Sequence, residues 1–173
     1  LVRRSQQLYG PMGAEYKVGA RTWIWPSGAS LKFRPMDTDD QFHKFLGHSY
    51  SAIYWDELPT WGSMRPYHLL KSRLRGNAKR KRIRATGNPG GMIHSLIKDY
   101  FQIGKYPNGY VPLRDPASDM VRCFIPAKVT DNQKLLEADP DYPKRLMAMG
   151  DPELTEAYLH GNWDINMGSY YAG

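Results

Sequence analysis

The feature that most constrains this chain is a short apolar run that stops on two acids, Ala52-Ile-Tyr-Trp55 followed by Asp56-Glu57. Counted from Tyr50, the run is too short for a stable helix and alternates little. That is the pattern of a strand buried on both faces, the usual state in a parallel sheet. Parallel strands need crossover connections, which are commonly helical. The sequence that follows supplies them. Pro66 to Arg75 reads as a helix, with Pro66 in its first turn and Gly76 at its exit. Leu69, Leu70 and Leu74 give it an apolar side. Arg82-Ile-Arg-Ala-Thr86 reads as the next strand, broken by the turn signal Gly87-Asn88-Pro89-Gly90-Gly91. Met92 to Phe101 reads as a second helix. Met120 to Ile125 reads as another apolar strand, with Cys123 buried in it. Strands alternating with helices predict an α/β layer fold with a mostly parallel sheet.

Two regions fall outside that alternation. Arg21–Trp25 and Ala29–Phe33 are β-prone runs around Pro26-Ser27-Gly28, which predicts a hairpin. From about Asp131 the chain reads as a small acidic helical section. Asp131 is placed to cap Asn132–Ala138. Asp141 precedes Pro143, Asp151 precedes Pro152, and Gly150 and Gly161 are the stops. The single cysteine excludes an internal disulfide framework and any multi-cysteine zinc site. No run approaches the ~20 apolar residues that span a bilayer, and no secretory signal opens the chain, so no membrane partner is expected.

The net charge of +7 is concentrated. Between Leu58 and Lys98 there are ten cations and no acid, and the remainder holds 14 cations against 17 acids, a balance of −3. Arg73, Arg75, Lys79, Arg80, Lys81 and Arg82 form the densest part. Such a block suits phosphate contact without base readout. A solvated loop between helix and strand explains Gly76–Arg82 equally well on composition alone.

The chemistry-bearing residues lie on either side of this block. At the carboxyl end of a parallel strand, Asp56 is placed to hold the Mg²⁺ of a bound nucleotide. Glu57, one residue on, points elsewhere and can act as general base on water. Thr86 or Asn88, at the end of the neighbouring strand, can sense a γ-phosphate. Taken singly, each motif also reads as an ordinary surface turn. His94 reads as a packing or capping residue rather than a ligand. No G-x-x-x-x-G-K-[ST] phosphate cradle occurs in the chain, and Gly10-Pro-Met-Gly13 is no substitute. There is also no His/Cys metal cluster and no G-x-S-x-G nucleophile motif.

The motifs taken together, in order, resemble the large terminase subunit of tailed bacteriophages and prophages. The matching pieces begin with Trp25-Pro-Ser-Gly28-Ala-Ser-Leu-Lys-Phe33, then Asp39-Asp40 with Lys44-Phe-Leu-Gly47. Ile53-Tyr-Trp-Asp56-Glu57-Leu58 and Leu70-x-x-Arg73-Leu-Arg75 come next, followed by Thr86-Gly87-Asn88-Pro89-Gly-Gly-x-x-His94 with Phe101. Ile125-Pro-Ala with Asp131-Asn132, and Leu159-His-Gly161-Asn-Trp163-Asp164 with Gly168, complete the series. Two positions depart from the family pattern: Leu46, where Gln is frequent, and Asn162, where Asp is common.

The resemblance implies a partial P-loop NTPase sheet of the ASCE/RecA-like kind with flanking helices, followed by a small helical linker subdomain. Residues 1–128 would be the later part of the ATPase domain, 129–163 the linker, and 164–173 the lead-in to a nuclease domain. The Walker A segment is expected before Leu1. Asp56 and Glu57 match the family's Walker B acids, and Thr86-Gly87-Asn88 its coupling motif. ATP and Mg²⁺ are the implied cofactors. Double-stranded DNA, the portal protein, the small terminase subunit and further copies in a homo-oligomeric ring are the implied partners, in the bacterial host cytoplasm at the procapsid. One of the arginines in the basic block would serve as an arginine finger. Two other readings stay open: another nucleic-acid ATPase such as a helicase, and an inactive prophage remnant that only binds DNA.

Overall fold

The computed structural model describes residues 1–106 and 111–165. The chain divides into two compact units, Leu1–Gln41 and Phe42–Gly173, a division the sequence reading did not foresee. Gly168 and the rest of 166–173 lie outside the described residues.

The first unit is a helix and a meander. Helix α1 (Val2–Tyr9) precedes strands β1 (Glu15–Lys17), β2 (Thr22–Ile24) and β3 (Ser30–Lys32), which form one antiparallel sheet in that order. The expected hairpin is β2–β3. Its turn is closed by Trp25 N–H to the Ala29 carbonyl at 2.9 Å, and Gly28 there takes φ +83°, which favours glycine. β1 was not expected. It pairs through Tyr16 opposite Trp23, and both rings pack on the inner face. Trp23 is the centre of this unit. It is buried, meets Tyr9 edge-on at 5.6 Å, and donates its indole N–H to the Ser5 hydroxyl at 2.9 Å. An aromatic pair of this kind adds about 0.5–1.5 kcal/mol beyond the area it buries.

The second unit contains a parallel pair, β4 (Ala52–Trp55) with β5 (Arg82–Ala85), in the register Ala52 opposite Arg82 to Trp55 opposite Ala85. Helix α2 (Arg65–Leu70) lies in the connection, and α3 (His94–Phe101) follows β5. A two-residue antiparallel ladder, β6 (Leu113–Arg114) with β7 (Val121–Arg122), leads to α4 (Gln133–Ala138), α5 (Tyr142–Met147) and α6 (Pro152–His160). The chain is therefore mixed α/β. The parallel component is a pair of strands accompanied by two antiparallel sheets, not the mostly parallel sheet expected.

Four local expectations are corrected. β4 is parallel as expected, yet of its four residues only Trp55 is buried and Tyr54 is 55% exposed. The cause is that β4 has one hydrogen-bonded neighbour among the described residues. The helix from Pro66 to Arg75 stops at Leu70 and tightens into a 3₁₀ turn at Lys71–Arg73. Leu74 is drawn into a parallel bridge with Tyr50, with Tyr50 N–H on the Arg73 carbonyl at 2.8 Å and Arg75 N–H on the Tyr50 carbonyl at 3.2 Å, so Arg75 lies outside the helix. Met120–Ile125 is not a buried strand. Its ladder is two residues long, Ile125 is 70% exposed, and Cys123 is half-buried outside the ladder. The cap of α4 is Asn132, whose side chain accepts Leu135 N–H at 3.1 Å, whereas Asp131 accepts Lys128 N–H at 2.7 Å. Asp141 and Asp151 stand at the helix starts where they are expected, but only Asp151 caps with its side chain. Asp151 caps α6 through Leu154 N–H at 2.9 Å, and Asp141 precedes α5 while pairing with Lys144.

Candidate active site at the β4–β5 strand ends

The ladder between β4 and β5 does not simply end after Trp55. Thr86 N–H donates to the Trp55 carbonyl at 3.0 Å, and the Thr86 carbonyl accepts Leu58 N–H at 2.9 Å. A regular parallel rung would span Trp55 to Glu57, so this chain carries one extra residue there. Such a bulge re-aims the side chains at a strand end. Glu57 absorbs it with φ +50°, a left-handed conformation uncommon for a non-glycine residue. Its N–H, displaced from the ladder, reaches the Thr86 hydroxyl at 3.3 Å. The same hydroxyl donates to Asp56 Oδ1 at 3.1 Å. Asp56, Glu57 and Thr86 are thus gathered by one side-chain oxygen, and all three are exposed.

The floor of this cluster is the turn Leu58–Thr60. Leu58 and Pro59 are buried, and Trp61 packs edge-on against Trp55 at 4.7 Å. The Gly87–Gly91 loop lies directly on Pro59. A Cβ on Gly87 would meet Pro59 Cδ at 2.1 Å, and one on Gly91 would meet the Pro59 carbonyl oxygen at 2.1 Å. That carbonyl also accepts Ile93 N–H at 3.1 Å. Glycine is required at these two positions by close backbone approach rather than by turn type. Asn88, the remaining expected coupling residue, is exposed.

The basic residues are placed elsewhere. Arg73 and Arg75 flank Tyr50 at the start of the β4 segment, and Lys79, Arg80 and Lys81 precede β5, which Arg82 opens. The acids lie at the other end of a four-residue strand, about 13 Å away at about 3.3 Å per residue. None of the six is ion-paired among the described residues. The strand pair therefore has a cationic amino end and an acidic carboxyl end.

His94 does more than pack or cap. Buried at the start of α3, it accepts Gly90 N–H on Nδ1 at 3.0 Å. Nε2 must then carry the proton, and it faces the Trp163 carbonyl at 3.1 Å. The imidazole stacks on the Trp163 indole with centroids 5.0 Å apart and planes 14° apart. Burial is the main cause holding its pKa below the usual value. Lys98 adds to that, while the Trp163 carbonyl and Asp164 oppose it. Pro59 and Trp163 were also missed as parts of this arrangement. The sequence signals available were the spacing Gly87-x-x-x-Gly91 and the His94 that follows it.

The family model described as "Terminase large subunit, T4likevirus-type, N-terminal" matches residues 5–173. The chain belongs to the terminase large-subunit family, whose role is in the packaging of phage DNA. No curated protein and no solved structure matches it.

Proposed function

We propose that this chain is the later part of an ATPase domain of the P-loop kind, which drives double-stranded DNA into a procapsid in the bacterial host cytoplasm. The observation that carries this is the pairing of Asp56 and Thr86 at the carboxyl ends of adjacent parallel strands, with Glu57 beside them on a bulge. Ligands in open α/β sheets bind at that end of the strands.

The donor set fits a Mg²⁺–nucleotide. Among the described residues no group of three or more His, Cys, Asp or Glu side chains could hold a metal ion by itself. Mg²⁺ is commonly held by one or two carboxylates together with phosphate oxygens, and Asp56 offers one. When bound, the ion neutralises charge on the transferred phosphoryl group. Thr86 fixes the Asp56 carboxylate through its hydroxyl. Glu57, exposed and held on the bulge, takes a proton from the attacking water. Thr86, Gly87 and Asn88 relay the state of the site into the loop. The phosphate cradle comes from outside these residues. The segment 129–163, which contains α4–α6, serves as the linker subdomain, and 164–173 leads on to a nuclease domain.

The cationic end of the strand pair suits DNA phosphates or a neighbouring subunit of a homo-oligomeric ring. The portal protein and the small terminase subunit are the further partners of this reading. No helix among the described residues is long and apolar enough to cross a membrane.

The test is Glu57→Gln in the full-length protein. DNA-stimulated ATP turnover is expected to fall by about 10²-fold or more, the usual worth of a general base, with the thermal unfolding midpoint unchanged. Turnover equal to wild type would remove Glu57 from the mechanism and with it the hydrolytic reading of the site.

A further inference from the structure

We infer that His94 is a positioning residue, which fastens the Gly87–Gly91 loop to the Trp163–Asp164 segment so that the two move together. The inference rests on the reading of Asp56, Glu57 and Thr86 as a hydrolytic site and assigns the route by which that site is felt elsewhere.

The route is continuous and short. Thr86 bonds both acids, and two residues of the loop that follows it, Gly87 and Gly91, press on Pro59. The loop's Gly90 N–H ends on His94 Nδ1, and the opposite ring nitrogen ends on the Trp163 carbonyl. Trp163 is held in turn by the stacked imidazole and by the edge of Phe124 at 5.8 Å. One residue on, Asp164 pairs with Lys98 of α3 at 2.7 Å. His94 thus joins two backbone groups, that of Gly90 beside it and that of Trp163, which lies 69 residues further along the chain than the histidine. Burial alone calls for partners on both nitrogens, but here those partners are main-chain groups of two different segments. Backbone partners also matter mechanically, because neither the loop nor the segment can move independently of the other without breaking them. The ring bonds both pieces directly, one through each nitrogen.

The two ring bonds can be separated by substitution. In His94→Asn a carbonyl oxygen stands near the place of Nδ1, so the Gly90 bond is kept and Trp163 is out of reach. In His94→Gln the terminal amide reaches toward Trp163 and the Gly90 bond is lost. ATP turnover and the length of DNA packaged per ATP are measured side by side in the full-length protein. Each variant is expected to keep turnover within about threefold of wild type while packaging about tenfold less DNA per ATP, a factor typical of coupling between sites. DNA packaged per ATP equal to wild type in either variant overturns the inference. So does a loss of turnover in proportion to packaging, which would make His94 a general support of the fold. Glu57→Gln, run in parallel, reports on the hydrolytic reading through turnover alone, so the two ideas fail separately.

A second measurement needs no substitution. Hydrogen exchange of the wild-type protein is followed with and without a non-hydrolysable ATP analogue. Protection is expected to change together at the Gly90 amide and at the amides of residues 163 and 164. A change at Gly90 alone overturns the fastening.

Discussion

The two sheets with recognisable sequence signatures are built in opposite ways. The β1–β3 meander is local. Its strands are joined by short turns, its one buried polar pair is Trp23 with Ser5, and Tyr9, Tyr16 and Trp25 pack around it. The β4–β5 pair is non-local. Its register joins residues 30 apart, from Ala52 opposite Arg82 to Trp55 opposite Ala85, and its polar groups gather at the strand ends in the open. The first arrangement satisfies its polar groups inside and offers water a surface with no cluster of acids. The second leaves Asp56 and Glu57 exposed, one of them in a left-handed backbone, and anchors them from one threonine. A region built for stability alone has no reason to hold one exposed carboxylate, and the backbone of the acid beside it, in this way. The contrast separates scaffold from site.

Substitutions should respect the difference. After Glu57→Gln, the largest effect is expected from Thr86→Val, which keeps the shape and removes the hydroxyl shared by Asp56 and Glu57. ATP turnover should fall about 10–100-fold, as when an outer-shell partner of a ligating carboxylate is lost, and Thr86→Ser should restore most of it. Next comes Gly91→Ala. The added methyl cannot fit against the Pro59 carbonyl, so the loop must shift, at a cost of about 1–3 kcal/mol in urea denaturation. Ser5→Ala, in the other sheet, should cost about 1 kcal/mol by removing the acceptor of the buried Trp23 N–H, and leave ATP turnover unchanged. An effect of Ser5→Ala on turnover would break the division between scaffold and site.

The smallest effect is one of pH. All five histidines lie beyond Gln41. Burial lowers the pKa of His94, and burial followed by Lys71 lowers that of His68. An unfolded chain takes up these protons near the ordinary value of 6.5, while the native form resists them. Stability from this source is therefore fully present above that value and is lost as pH falls toward the lower native pKa. Amide exchange at Ile97, corrected for the intrinsic rate, should show opening become easier between pH 7.5 and 5.5. The amide of Trp23 should not follow it from any histidine of its own unit.

Much of this was legible beforehand, and the reasons are physical. The β2–β3 hairpin announced itself because its turn chemistry and its β-prone runs are adjacent in sequence. Asp56-Glu57 and Thr86 stood out because each closes a strand, and the structure brings them within hydrogen-bonding distance. The failures share a different cause. The end of α2 was misplaced because the residue that stops it, Tyr50, precedes it by 20 positions or so and competes for Leu74 through the backbone. The extra residue at Asp56-Glu57 leaves no compositional mark, since a bulge is a property of the partner strand as much as of the bulged one. His94 looked ordinary because its meaning depends on Trp163, far along the chain. The burial of β4 was overestimated because an apolar strand says what it can cover, not how many neighbours are there to cover it.

The grip of Gly87 and Gly91 on Pro59 also bears on how such a chain can change over generations. Three positions are tied into one inherited unit. Neither glycine can gain even a methyl group while the turn stays where it is, and the turn cannot move while Thr86 keeps its rungs to Trp55 and Leu58. Single substitutions at these sites should therefore be poorly tolerated, and accepted changes should arrive in concert. A set of related sequences would then show positions 59, 87 and 91 varying as a block, a signature that neither charge nor hydrophobic pattern would reveal.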